Sequence, residues 1–274
     1  MPAKPFQATL RGGDVMEQKN IIPIIDCNTV VGFWPRRKVD SSLQALLKTM
    51  ERYGVVRALC VSTNAIFYDY RRGNDETILM ARQSNNRLLP VITVDPREYI
   101  GCFKEIELRA RQGLRLFRFF PDIQGWPIRF APFRDIVQML NELRLPWMVS
   151  AHAIGVATEI AELVKDFSTP VILTSINYNN LSEVISVMKH VLHIHVETHK
   201  LFSPSAYELL KEHIGVERIV FGSFAPIQYF ASSYMPLMRS SLSDEEKQKI
   251  LCENIRTVLM TKVQQVEVVG EGAG

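Results

Sequence analysis

The chain of 274 residues lacks most of the features that announce a stapled, membrane-bound or nucleic-acid-binding protein. Its four cysteines, Cys27, Cys60, Cys102 and Cys252, lie far apart with no Cys-x-x-Cys pair. That spacing excludes a zinc knuckle and a thioredoxin-like motif and fits reduced thiols. No run reaches the ~20 apolar residues of a membrane span, and residues 1–20 contain no apolar signal-peptide core. A cytoplasmic protein without membrane attachment is therefore expected, with the Asn180-Leu181-Ser182 sequon left unglycosylated. Charge of one sign is missing too: 32 basic against 29 acidic side chains leave +3, too small a bias for a nucleic-acid partner. No Gly-rich phosphate loop follows the first apolar run, which argues against a doubly wound dinucleotide fold.

What the chain does have is 47% hydrophobic content arranged in short apolar runs. Eight runs read as strands buried on both faces: residues 21–26, 55–62, 88–95, 114–120, 146–152, 170–176, 191–197 and 218–222. Helix-compatible segments follow each of them, at 41–53, 75–85, 98–112, 132–143, 156–167, 181–190, 204–214 and 243–260. The first carries Leu43, Leu46, Leu47 and Met50 on one stripe, and the last opens on a Ser243 to Glu246 capping box. Eight β-then-α units over ~250 residues predict an α/β protein with one (β/α)8 TIM barrel over 21–262, a short arm at 1–20 and a polar tail at 263–274.

In such a barrel the reactive groups stand at the C-terminal ends of the strands. That rule selects Asp26 to Val30, Ser62 to Asn64, Asp95, Arg118, Ser150, His152, Ser175, Asn177, Glu197, His199 and the stretch Ser223 to Pro226. The chain also has Gly73-Asn74-Asp75, Val94-Asp95-Pro96, Gly113-Leu114-Arg115-Leu116, Phe221-Gly222-Ser223-Phe224-Ala225-Pro226 and Leu242-Ser243-Asp244-Glu245-Glu246-Lys247 through Asn254. In this order, these motifs resemble those of the amidohydrolase-related hydrolases and decarboxylases, the branch that includes aminocarboxymuconate-semialdehyde decarboxylase. The resemblance runs from Ile21 to Leu259 and implies the barrel independently.

That resemblance also implies a divalent ion, held by two histidines on strand one, one each on strands five and six, and an aspartate on strand eight. The matching positions here are Asn28, Val30, Ser150, Ser175 and Phe224. Because valine and phenylalanine offer no lone pair, no metal and no cofactor are expected. The first expectation is a ligand-binding or interaction protein that works without a metal, with Ser150, Ser175, Asn177, Glu197 and Phe224 lining a small-molecule site. The alternative is a hydrolase or decarboxylase acting on a small carboxylated substrate, with His152 as acid/base, Arg118 as carboxylate clamp and Asn28 as a hydrogen-bond donor. His152 is also readable as a structural histidine. His193, His195, Glu197 and His199 read as barrel packing rather than a metal cluster, because alternation spreads side chains along a strand. Cys27 is a weaker nucleophile candidate, pointing away from Asp26 and Asn28. The aromatic loops Phe33-Trp34-Pro35, Phe67 to Tyr70, Gly125-Trp126-Pro127 and Tyr229-Phe230 suggest a lid or subunit contact, hence a homo-oligomer or a partner for an active relative.

Overall fold

The computed structural model describes residues 23–261; the expected arm, tail and start of the first strand at 21–22 lie outside them. Eight strands follow one another as β1 (Ile24–Val31), β2 (Val55–Ser62), β3 (Leu88–Pro90), β4 (Phe117–Phe119), β5 (Trp147–Ser150), β6 (Val171–Thr174), β7 (Ile194–Glu197) and β8 (Ile219–Val220). All neighbouring pairs are parallel, β1 to β3 in one run and β4 to β8 in another. Two backbone seams close these runs into a (β/α)8 barrel. At one, Ile92 N–H donates to Leu116 O at 3.0 Å and Arg118 N–H to Ile92 O at 2.8 Å. At the other, Cys27 N–H reaches Phe221 O at 2.9 Å and Val30 N–H reaches Ala225 O at 3.1 Å.

The apolar runs are apolar throughout because both strand faces are covered. Ile25, Leu59, Val61, Val91, Leu116, Met148, Ile172 and Val220 form one buried cluster inside the barrel. Their sequence neighbours Ile24, Ala58, Cys60, Ile92, Phe117, Trp147, Leu173 and Ile219 join the helices in a second. Period-two alternation thus sorts each strand between two cores. No helix among the described residues is long and apolar enough to cross a membrane.

Several boundaries differ from those expected. β1 runs on to Val31 because the β-branched Thr29, Val30 and Val31 pair with β2, Val31 opposite Ser62. β5 stops at Ser150, so His152 does not continue its alternation. Three further helices, Thr63–Phe67, Pro121–Gln124 and Phe230–Arg239, fold in loops after β2, β4 and β8, where aromatic and proline residues obscure any periodic signal. The closing helix begins at the expected capping box, Ser243 N–H to Glu246 Oε2 at 2.8 Å and Glu246 N–H to Ser243 Oγ at 3.2 Å. It then widens into a π-turn over Lys249–Glu253. There Ile250 O accepts the Phe221 N–H just beyond β8 at 3.0 Å, so the widened turn buttresses the strand that ends at the barrel mouth.

Two of the family motifs are structural. Gly73 lies against Ala65, where any Cβ would collide with backbone. Asn74 beside it bonds Thr93 O at 2.9 Å, Thr93 N–H at 3.1 Å and Glu105 Oε1 at 2.8 Å. Asn254 anchors the closing helix by donating to Val216 O and Ile219 O, each at 2.7 Å.

Candidate active site

The ends of β4, β5 and β6, with the turns after β7 and β8, surround a cavity of about 130 Å³. Its wall includes Arg118, Ser150, Ser175, His199, Phe224 and Trp34. Trp34, from the loop after β1, packs edge-on to Phe67 at 5.1 Å and to Phe224 at 5.4 Å, so part of the aromatic rim does fold over the mouth. Phe33, Tyr68 and Tyr229 stay exposed.

Glu197 is the hub beneath this cavity. It is fully buried at the end of β7, and its Oε1 accepts the His199 N–H at 2.7 Å. Its Oε2 accepts from the His199 ring Nδ1 at 2.5 Å and from Asn28 Nδ2 at 3.0 Å. The expectation that Glu197 and His199 fan apart along the strand is therefore wrong. β7 ends at Glu197, and the chain turns at Thr198, whose hydroxyl donates to Gly222 O at 3.1 Å and accepts the Gly222 N–H at 3.0 Å. That turn brings the imidazole back onto its neighbour's carboxylate. Gly222 is required here, since a Cβ would overlap the Glu197 carboxylate and Asn28. His195 lies lower on the strand and His193 in the turn before it, both outside the wall.

Asn28 bridges two opposite charges. Its Nδ2 serves Glu197, and its Oδ1 accepts from Arg118 Nη1 at 2.6 Å. Arg118 is only 5% exposed, and no carboxylate among the described residues comes within ion-pair range of it. The rings of Phe120 and Phe224 lie 4.5 and 5.3 Å from its guanidinium carbon. Burial pulls its pKa down to about 10, against the pull of the Glu197 charge. Two more polar atoms on the wall have no partner, the buried Ser150 hydroxyl and Gln228 Oε1.

Below this, Asp26 braces the mouth. Its Oδ1 accepts the N–H groups of Asn28 and Ser223 at 3.0 Å each, and its Oδ2 takes the Ser223 hydroxyl. Burial raises its carboxyl to about 7 even against those hydrogen bonds. The brace shapes the turn in which Phe224 takes a φ of +57°, its N–H held by Asn28 O at 2.7 Å. Ser175 likewise sits in the left-handed region, at φ +67°, and places its hydroxyl 3.5 Å from His199 Nε2. Cys27 is buried inside the barrel with its thiol pushed well up by desolvation, which leaves it a poor nucleophile.

The cavity thus gathers Arg118, Ser150, Ser175 and Phe224, with Glu197 and Asn28 directly behind. His152 and Asn177 stand apart. His152 is exposed, and Asn177 Nδ2 donates to His152 O at 3.4 Å and Ser175 O at 3.3 Å, shaping the loop after β6. Both line a wider neighbouring groove with Tyr178 and Phe202. His199 is the cavity residue the strand pattern undervalued. The signal was the Glu197-x-His199 spacing at a strand end, which a turn converts from divergence to contact.

This barrel belongs to the amidohydrolase family, whose model matches residues 34–260. Among curated proteins, the chain is similar to 4-sulfomuconolactone hydrolase of Rhizobium radiobacter, 28% identical over 140 residues. That match covers 51% of this chain and 44% of the relative, so the alignment spans less than half of the relative's length. Among solved structures, 5-carboxyvanillate decarboxylase from Sphingomonas paucimobilis superposes with a TM-score of 0.68 at 14% identity, covering 88% of this chain and 100% of that one. The 2,6-dihydroxybenzoate decarboxylase from Rhizobium gives 0.65 at 13%, covering 86% and 98%. The 4-oxalomesaconate hydratase from Rhodopseudomonas palustris gives 0.64 at 18%, covering 86% and 95%. At such identities these structures establish the barrel and nothing about substrate.

Proposed function

We propose that the barrel mouth binds a small organic acid through Arg118 and does so without a divalent ion. The observation that carries this reading is the buried guanidinium, which among the described residues makes one hydrogen bond, to Asn28, with five N–H donors to place. A charge taken out of water with no counter-ion is costly unless a ligand completes it, and a carboxylate matches the guanidinium fork in shape and charge. Arg36 and Lys200 on the same wall add positive potential, against Asp122 on the wall and Glu197 behind it. The size of the cavity suits one such head group, with volume for about four waters at ~30 Å³ each.

A metal does not fit the donors present. Asn28 spends its amide on Arg118 and Glu197, and His199 spends Nδ1 on Glu197. Val30 is packed in the apolar interior, and Phe224 offers a ring where the resemblance implies a carboxylate. The donors left on the wall among the described residues are His199 Nε2, Gln228 Oε1, the Asp122 carboxylate and neutral hydroxyls, beside the Arg118 charge that repels a cation. No group of three or more His, Cys, Asp or Glu side chains among the described residues is arranged to hold an ion.

The names of the relatives agree with an acidic ligand: two are decarboxylases of aromatic acids. Elemental analysis of protein grown with zinc and manganese checks the metal half of the reading. Far less than one ion per chain is expected, and near-stoichiometric metal lost on Asn28→Ala or His199→Ala overturns it. Calorimetric titration with benzoate and maleate checks the other half, with Arg118→Met expected to abolish the heat.

A further inference from the structure

We propose that Ser175, His199 and Glu197 form a nucleophile, base and orienting carboxylate at the barrel mouth, which hydrolyse an ester or lactone carrying a carboxylate. This rests on the carboxylate site assigned to Arg118 above. The three side chains come from the ends of two consecutive strands, β6 and β7, and meet in sequence. Glu197 Oε2 lies 2.5 Å from His199 Nδ1, and His199 Nε2 lies 3.5 Å from Ser175 Oγ. A carboxylate on Nδ1 fixes that nitrogen as the proton donor, so the lone pair of Nε2 faces the hydroxyl and the cavity. That is the arrangement by which a serine is activated on unrelated folds, recognised by geometry rather than sequence order.

Three further features set Ser175 apart from an ordinary buried serine. Its backbone occupies the left-handed region at φ +67°, a conformation a non-glycine residue holds only under constraint, and it juts from a strand end towards the cavity. Among the described residues its Oγ has one hydrogen-bond partner, the imidazole, at a distance of the kind that shortens in catalytic sites once substrate is bound. The Ser150 hydroxyl, buried and without a partner on the same wall, is the donor free to meet the carbonyl oxygen.

The step balances with water as the other reactant. Ser175 Oγ attacks the carbonyl carbon while its proton moves to His199 Nε2; the C–O bond to the alcohol then breaks, and the alcohol leaves with that proton. Water attacks the acyl-serine, giving its proton to Nε2, and the acid departs as the proton returns to Ser175. Arg118 holds the substrate's own carboxylate, and Glu197 keeps the imidazole in the reactive tautomer as a positioning residue.

A fluorophosphonate probe applied to the full chain, followed by peptide mass mapping, reads the nucleophile directly. One adduct on Ser175 is expected, lost in His199→Gln. With 4-nitrophenyl hydrogen succinate as substrate, Ser175→Ala and Ser175→Gly are each expected to lower kcat by about a thousandfold. The glycine variant keeps the positive φ at no cost and guards against misfolding. Glu197→Gln is expected to lower kcat with KM little changed. No adduct on Ser175, or turnover unchanged in the glycine variant, overturns the proposal. Benzoate binding separates the two readings: if it is intact while labelling and turnover fail, the triad alone is wrong. If neither the wild type nor the Ser175 variants bind benzoate, the carboxylate site falls with it.

Discussion

Two buried arginines in this barrel make opposite use of their charge. Arg109, on the helix Tyr99–Arg111, donates to Glu105 at 2.7 Å, Asp75 at 2.7 Å, Gln112 Oε1 at 3.1 Å and Arg71 O at 3.4 Å. Glu105 is in turn tied to Asn74 and so to the end of β3. Arg118, equally buried, has Asn28 and two aromatic rings. A saturated buried cation holds a structure together; an unsaturated one facing a cavity awaits a partner from outside.

The largest effect that distinguishes them is on stability. Arg109→Met leaves Glu105 as an unpaired buried charge and is expected to cost about 3–5 kcal/mol in urea unfolding. Benzoate affinity of the protein that remains folded should be unchanged. Arg118→Met removes a charge with no direct ion pair among the described residues, joined to Glu197 only through Asn28, so it should cost less stability than Arg109→Met while benzoate affinity falls by about a hundredfold or more, ~2.7 kcal/mol. If both variants merely destabilise, the contrast between the two arginines is broken.

Asp26 gives the mouth its own pH signature. Its folded carboxyl, raised to about 7 by burial, holds a proton that the unfolded chain releases near the ordinary carboxylate value of 3.8. Its contribution to stability is therefore full below about pH 4 and is lost as pH climbs towards 7, at up to about 1.4 kcal/mol per pH unit. Asp26→Asn should flatten that slope, read from urea midpoints at pH 4.5 and 6.5; an unchanged slope removes Asp26 as its source. Least in size, Ser243→Ala loses the capping box of the closing helix and should cost about 1 kcal/mol. Ligand binding should be untouched, which calibrates a purely structural change.

The sequence made the barrel readable because most strand positions are covered on both faces, so largely apolar runs stand out between amphipathic helices. The 55–62 strand and the Ser243 cap lie where the pattern puts them. Arg118 and Glu197 were visible for the related reason that a charge at the end of such a run is conspicuous. His199 was harder to place, because strand alternation says nothing about a side chain once the chain has turned at Thr198. His152 is the opposite case: its candidacy assumed that the strand continues, whereas β5 ends at Ser150. The left-handed backbone of Ser175 leaves no mark in residue identity, since serine is not a residue that favours it.

The most direct test of the central claim, that this mouth exchanges a cation site for an anion site, is calorimetric titration of benzoate into chelator-treated wild type and Arg118→Met. Saturable binding by the metal-free wild type and none by the variant is the predicted result. Binding that appears only when zinc or manganese is restored, or that survives loss of Arg118, would contradict it.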